Sequence, residues 1–136
     1  MSAVAADVRR GPDLRRLLRA LGYSTVTELG LADGRRADIV ALGADGTILI
    51  VEIKSSIADF RADHKWRDYA AHCDRLYFAI SDATPAEIMP EDAGLILADR
   101  FGAAILREAE RRPLPPATRR AMLLRFACAA ADRLHR

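Results

Sequence analysis

The stretch from residue 47 to residue 80 constrains the fold most. It opens with Thr-Ile-Leu-Ile-Val-Glu-Ile-Lys at 47–54, an apolar run of the kind found in strands covered on both faces. Ser56 and Asp59 follow at the spacing of a capping box, with Asp in place of the usual Glu, and predict a helix to about Ala71. Arg75–Ile80 then reads as another strand. A strand–helix–strand unit needs a crossover, so its two strands lie parallel. That points to an α/β domain.

The flanking segments extend the same architecture. Leu14, Leu17, Leu18 and Leu21 form one apolar stripe of a first helix, with Gly22 as its stop. Gly11-Pro12 either starts that helix or kinks a longer one that includes Val4 and Val8. Residues 24–31 and 36–42 read as strands, separated by a turn at Asp33-Gly34. Gly43-Ala44-Asp45-Gly46 turns the chain into the strand at 47–54, and a fifth strand is expected at 94–98. Arg111–Pro116 is a Pro/Arg linker. A last helix over 117–134 places Leu123, Ala127, Ala130 and Leu134 on one stripe and is expected to brace the core. The order is α-β-β-β-α-β with a mixed sheet. The expected division is a domain over 1–110, the linker at 111–116, and a C-terminal helix at 117–136 packed on the same domain.

Composition agrees with one folded unit. The chain has 136 residues, of which 51% are hydrophobic and 29% charged, enough to bury a core without a disulfide or metal staple. No run approaches the roughly 18 apolar residues of a membrane span, and no segment reads as a signal peptide. The expected setting is the cytoplasm, near the nucleoid, with no membrane contact. Cys73 and Cys128 have no metal-ligand spacing and read as two reduced thiols. His64, His72 and Cys73 do not make a zinc site. Arg outnumbers Lys 19 to 2, the mark of a GC-rich, hence bacterial, genome.

The net charge of +2 conceals a division. Residues 1–22 carry five Arg against two Asp, and residues 107–136 eight Arg against three acids. The middle carries eight basic and fourteen acidic residues. Basic ends can hold a polyanion, and converging core acids can hold a divalent cation. Solvated helix faces would give the same counts.

Register decides between these readings. With Ala44-Asp45-Gly46 as a three-residue hairpin loop and Gly46 left-handed, Gly43 pairs with Thr47. Asp38 then falls opposite Glu52, on one face, with Cβ atoms about 5 Å apart. Like charges at that spacing repel, and a bound cation would compensate. Lys54 shares the face, two residues on. These charges end a buried strand, where charge is costly unless used. A chain that writes Arg nearly everywhere keeps Lys only at Lys54 and Lys65. An ammonium is compact and can lose its proton; a guanidinium does neither.

Asp38, thirteen intervening residues, then Glu52-Ile53-Lys54 before a helix resembles the PD-(D/E)XK nuclease superfamily. The strings from Gly34 to Gly46 and from Val51 to Ile80 are more specific and resemble the MmcB-like DNA repair proteins of that superfamily. The resemblance covers about residues 14–110. Ala37 stands where the motif often has proline. It implies a restriction-endonuclease-like αβββαβ core. It implies Asp38 and Glu52 as ligands of Mg²⁺ or Mn²⁺, with the Ile53 carbonyl as a third donor and Glu28 as a candidate further acid. Lys54 would activate water and stabilise charge on the phosphate, and hydrolysis would leave 5′-phosphate and 3′-hydroxyl ends.

Lys65 and Tyr69 resemble the Gln-x-x-x-Tyr element of some of these nucleases, with Lys in the Gln position, and a phosphate contact is the expected role. Ser55 at the strand-to-helix junction and Arg119, Arg120 and Arg125 on the last helix are further expected nucleic-acid contacts. Trp66 could stack on a base, although a core position explains it better. The expected function is metal-dependent hydrolysis of DNA phosphodiesters in repair. The alternative is a catalytically silent DNA-binding or scaffold protein of the same fold. A chain this small leaves a homodimer or a repair partner to supply specificity.

Overall fold

The computed structural model describes residues 3–62 and 66–135, with side chains described for 12–61 and 66–135. Helix α1 spans Ala3–Ala20 and carries Pro12 inside it, so the longer of the two expected first helices forms. Strands β1 (Tyr23–Gly30), β2 (Arg36–Gly43) and β3 (Ile48–Ile53) follow. The expected helix at 56–71 is seen as α2 (Ile57–Ala62) and α3 (Trp66–Ala70). Strands β4 (Arg75–Ile80), β5 (Gly94–Asp99) and β6 (Gly102–Arg107) complete the sheet, and α4 spans Pro116–Leu134.

Among the described residues, six strands form one sheet in the order β1-β2-β3-β4-β5-β6. β3, β4 and β5 are parallel, and the outer pairings are antiparallel. The mixed α/β architecture and its α-β-β-β-α-β order are therefore present. β6 extends the expectation: it is an edge strand with no fully buried residue, and its pairing with β5 shifts register between Leu95 and Ile96. Such a strand has weak alternation to read.

Each sheet face has its own core. Leu14 and Leu18 of α1 pack with Ile39, Leu49, Val51, Tyr77 and Ile96 on one face. On the other, Val40, Ile50 and Phe78 meet Phe60 of α2, Trp66 and Tyr69 of α3, and Met122 and Phe126 of α4. β3 alternates between the two faces and is buried on both, as its apolar run requires. Trp66 lies edge-on to Phe78 at 5.5 Å, a packing position. The buried stripe of α4 runs through Met122, Leu123, Phe126, Ala129 and Ala130. Leu134 is 85% exposed and Ala127 is also exposed, which corrects the expected phase. The larger Met122 and Phe126 side chains claim the core and rotate the helix away from Ala127 and Leu134.

An ion pair, Arg35 to Asp68 at 2.8 Å, and a hydrogen bond between His72, just past α3, and Asp33 at 3.2 Å tie this segment to the β1–β2 turn. They fix the short helix that carries Tyr69. At the opposite end of the sheet, Asp74 is buried and fully bonded. It accepts from the Ile48 and Leu114 amides at 2.7 and 2.9 Å. Arg119 grips both its carboxylate oxygens at 2.8 and 2.6 Å and also donates to the Gly46 carbonyl.

Candidate active site

The hairpin that joins β2 to β3 sets the site. Asp45 accepts from the Thr47 amide at 3.0 Å, Gly46 has φ +89°, and Gly43 donates to the Thr47 carbonyl at 2.9 Å. Only a residue tolerant of the left-handed region closes a loop this short without strain. The ladder then runs Leu42↔Ile48, Ala41↔Leu49, Val40↔Ile50 and Ile39↔Val51. One further step sets Asp38 opposite Glu52.

At that step the backbone ladder gives way to side chains. The Asp38 amide donates to Glu52 Oε2 at 2.7 Å, and the Ile53 amide donates to Asp38 Oδ2 at 2.8 Å. Each carboxylate thus grips the other residue's strand. The β1 side is interrupted at the same level. The pairs pass from Thr27↔Ile39 to Leu29↔Ala37, and Glu28, opposite Asp38, takes φ +52°. The burial of β1 changes phase there, from Val26 to Leu29, so the exposed Glu28 sits on a twist in the edge strand.

Glu52 is only 3% and Lys54 7% exposed. Burial, then the charge of Asp38, pushes the Glu52 carboxyl up to about 8, against the pull of the Asp38 amide, Lys54 and a hydrogen bond from Tyr69. Burial also raises Asp38, with Glu28 and Asp59 adding to it, while the Ile53 amide and Lys54 oppose. Glu52 therefore holds its proton more tightly than a free carboxyl does, and a further positive group beside the pair would oppose that.

The chain at this junction holds further polar groups. Ser56 caps α2 by accepting from the Asp59 amide at 2.9 Å, and Asp59 in turn accepts from the Ser55 amide at 3.0 Å and from its hydroxyl. The reciprocal bond thus reaches Ser55 and not Ser56, as a strict capping box would have it. Asp59 also adds its charge to the site, a role its capping spacing hides. Lys65 lies outside the described residues. Tyr69 bonds Glu52 from α3.

On α4 the three arginines part company. Arg119 is committed to Asp74. Arg120 is exposed, and Arg125 donates to the Gly30 carbonyl at 3.3 Å. Arg133, which the sequence did not single out, donates to the Thr27 and Glu28 carbonyls and braces the β1 twist. Its pairing spans more than a hundred residues, so no local pattern signals it.

Two acids and a lysine converge, but no three His, Cys, Asp or Glu side chains cluster as a metal site among the described residues. The donors present are all oxygen, the chemistry of a hard divalent cation. The fold is thus an α/β domain with a six-stranded mixed sheet and an acidic pair, Glu52 buried and Asp38 half-buried, at the end of its central hairpin. The chain belongs to the MmcB-like family, described as "DNA repair protein MmcB-like", which matches residues 1–136. SPO1766, a protein of unknown function from Silicibacter pomeroyi, is 42% identical in sequence over 93% of this chain and 87% of its own, with a TM-score of 0.87. A repair endonuclease from Pyrococcus abyssi is 14% identical over 76% of this chain and 47% of its own, with a TM-score of 0.46. No curated protein matches the chain. Among the described residues no helix is long and apolar enough to cross a membrane.

Proposed function

We propose that this chain is a metal-dependent deoxyribonuclease of DNA repair that hydrolyses phosphodiester bonds at Asp38, Glu52 and Lys54. One observation carries the reading: a buried Glu52 and a half-buried Asp38 face each other across β2 and β3, Glu52 accepting from the Asp38 amide and Asp38 from the Ile53 amide. Their repulsion and burial cost are what a divalent cation would relieve. Asp38, Glu52 and the Ile53 carbonyl would hold Mg²⁺ or Mn²⁺, with Glu28 on the outer side. When bound, such a cation acts as a Lewis acid toward phosphate and acidifies water. Lys54 sets an ammonium at the same edge, where negative charge builds on the phosphoryl oxygens in the transition state. Tyr69 orients Glu52 through its hydrogen bond. Ser55, Lys65, Arg120 and Arg125 contact the DNA backbone, and a second copy or a repair partner supplies specificity.

The test is incubation with a panel of labelled DNA structures, with and without Mg²⁺ or Mn²⁺. Cleavage of at least one structure, lost in EDTA and in Asp38→Asn, is the expected result. A second reading, a DNA-binding scaffold without chemistry, draws on the lack, among the described residues, of a cluster of three His, Cys, Asp or Glu side chains that could hold a metal. Binding without cleavage on every substrate and with both metals would establish it instead.

A further inference from the structure

An open groove of about 740 Å³ lies between α1 and the start of β1, lined by Arg15, Arg16, Arg19, Tyr23, Ser24 and Thr25 among others. None of its lining residues is acidic. Arg15 is anchored by a bond to the Thr25 hydroxyl at 3.1 Å. Arg16 is 79% exposed and shares only a surface ion pair with Asp13, a contact of little strength. Arg19 has no side-chain partner among the described residues. A cation in the last turn of a helix suits the helix dipole, which accounts for Arg19. It does not account for three arginines and three hydroxyl-bearing side chains lining one groove.

We propose that this groove is a second nucleic-acid contact, which holds the phosphate backbone of single-stranded DNA apart from the acidic pair. Guanidinium groups and hydroxyls are the usual phosphate donors, and the Tyr23 ring offers a stacking surface for a base. The volume suits one or two nucleotides. Tyr23 pairs with Gly43 at the hairpin end of the sheet, and Glu28 lies opposite Asp38. Roughly 10 Å of strand from Thr25, and about 17 Å from Tyr23, therefore separate the groove from Glu28. The inference rests on the reading that the chain acts on DNA, but not on cleavage.

The test is anisotropy titration of a labelled single-stranded oligonucleotide in EDTA across a salt series, with melting checked for each variant. Arg16→Ala/Arg19→Ala should bind about tenfold more weakly, with the slope of log K against log salt reduced by roughly 1.4, two lost contacts at ~0.7 each. Tyr23→Leu should weaken binding about fivefold or more and leave the slope unchanged. Arg100→Ala/Arg111→Ala removes the same net charge elsewhere and should change binding far less. An equal loss in that control, or an unaltered slope in the groove variant, overturns the proposal. So does wild-type protein that binds phosphatidylserine vesicles but not the oligonucleotide. If wild type binds through the groove yet never cleaves with Mg²⁺, the nuclease reading fails and this one stands.

Discussion

Glu52 and Asp74 are almost equally buried, at 3% and 2% exposure, yet they lie at opposite ends of the acid scale. Burial raises both. At Asp74 the Arg119 fork and the Ile48 and Leu114 amides outweigh it and hold the carboxyl down to about 2. At Glu52 burial and Asp38 prevail over one amide, Lys54 and Tyr69, and the carboxyl rises to about 8. Burial alone therefore does not say what a carboxylate is for. The partner set does: Asp74 is saturated by the protein itself, while the Asp38–Glu52 pair is left short of positive charge.

The sharpest way to break this contrast is to remove Arg119. Arg119→Ala strands a buried carboxylate and should cost about 3–5 kcal/mol in chemical denaturation. Asp74→Asn/Arg119→Met should recover part of that loss, because no buried charge remains. If Arg119→Ala costs less than about 1 kcal/mol, comparable to a surface pair, the clamp is not what holds α4. Arg119 is also a poor probe of DNA binding for this reason.

At the other acid, the next effect is kinetic. Lys54→Ala should slow single-turnover cleavage by on the order of 10²–10³-fold while binding changes far less. Lys54→Arg should not restore the rate, since a planar guanidinium does not replace a compact ammonium. Wild-type and Lys54→Ala rates that coincide would remove Lys54 from the site.

A smaller effect is thermal. Mg²⁺ or Mn²⁺ should raise the melting temperature of wild type by ligand linkage. Asp38→Asn should erase that shift and, without metal, stabilise the protein by roughly 1 kcal/mol, the scale of opposed like charges. A metal-induced shift that survives in both Asp38→Asn and Glu52→Gln means the cation binds elsewhere.

The pH dependence sharpens the comparison further. Asp74 has a lowered value, so its stabilisation is present above 3.8 and disappears as pH falls through about 2. Glu52 has a raised value, so its contribution is full below 4.5 and is lost as pH rises through about 8. In metal-free protein, Glu52→Gln should flatten the alkaline decline, and Asp74→Asn should flatten the acid one. Denaturation midpoints across pH read both limbs.

Much of the site geometry was legible because it is local. Ala44-Asp45-Gly46 specifies a loop, the loop specifies a register, and the register sets Asp38 against Glu52. The parallel β3–β4 pairing follows from chain connectivity in the same way. What escaped is non-local or weakly patterned. β6 is a half-exposed edge strand whose small residues alternate little. The phase of α4 was misjudged because Leu134 and Ala127 look as apolar as Met122 and Phe126, and only the core's shape chooses between them. The Asp74–Arg119 clamp joins residues 45 apart, and nothing near either one announces the other. Arg119 was expected to face nucleic acid, and its guanidinium is turned inward on that carboxylate.

The strictly sequential strand order bears on how the chain assembles. Each strand hydrogen-bonds to its neighbour in the chain, so the sheet can grow as the polypeptide leaves the ribosome, with a crossover to close at each of the parallel pairings β3–β4 and β4–β5. Asp74 waits longer for its partners. It enters the sheet with β4, but Leu114 and Arg119 are made only later. Until they arrive, this aspartate needs water for its remaining hydrogen bonds. Completion of α4 is the step that seals the nascent domain.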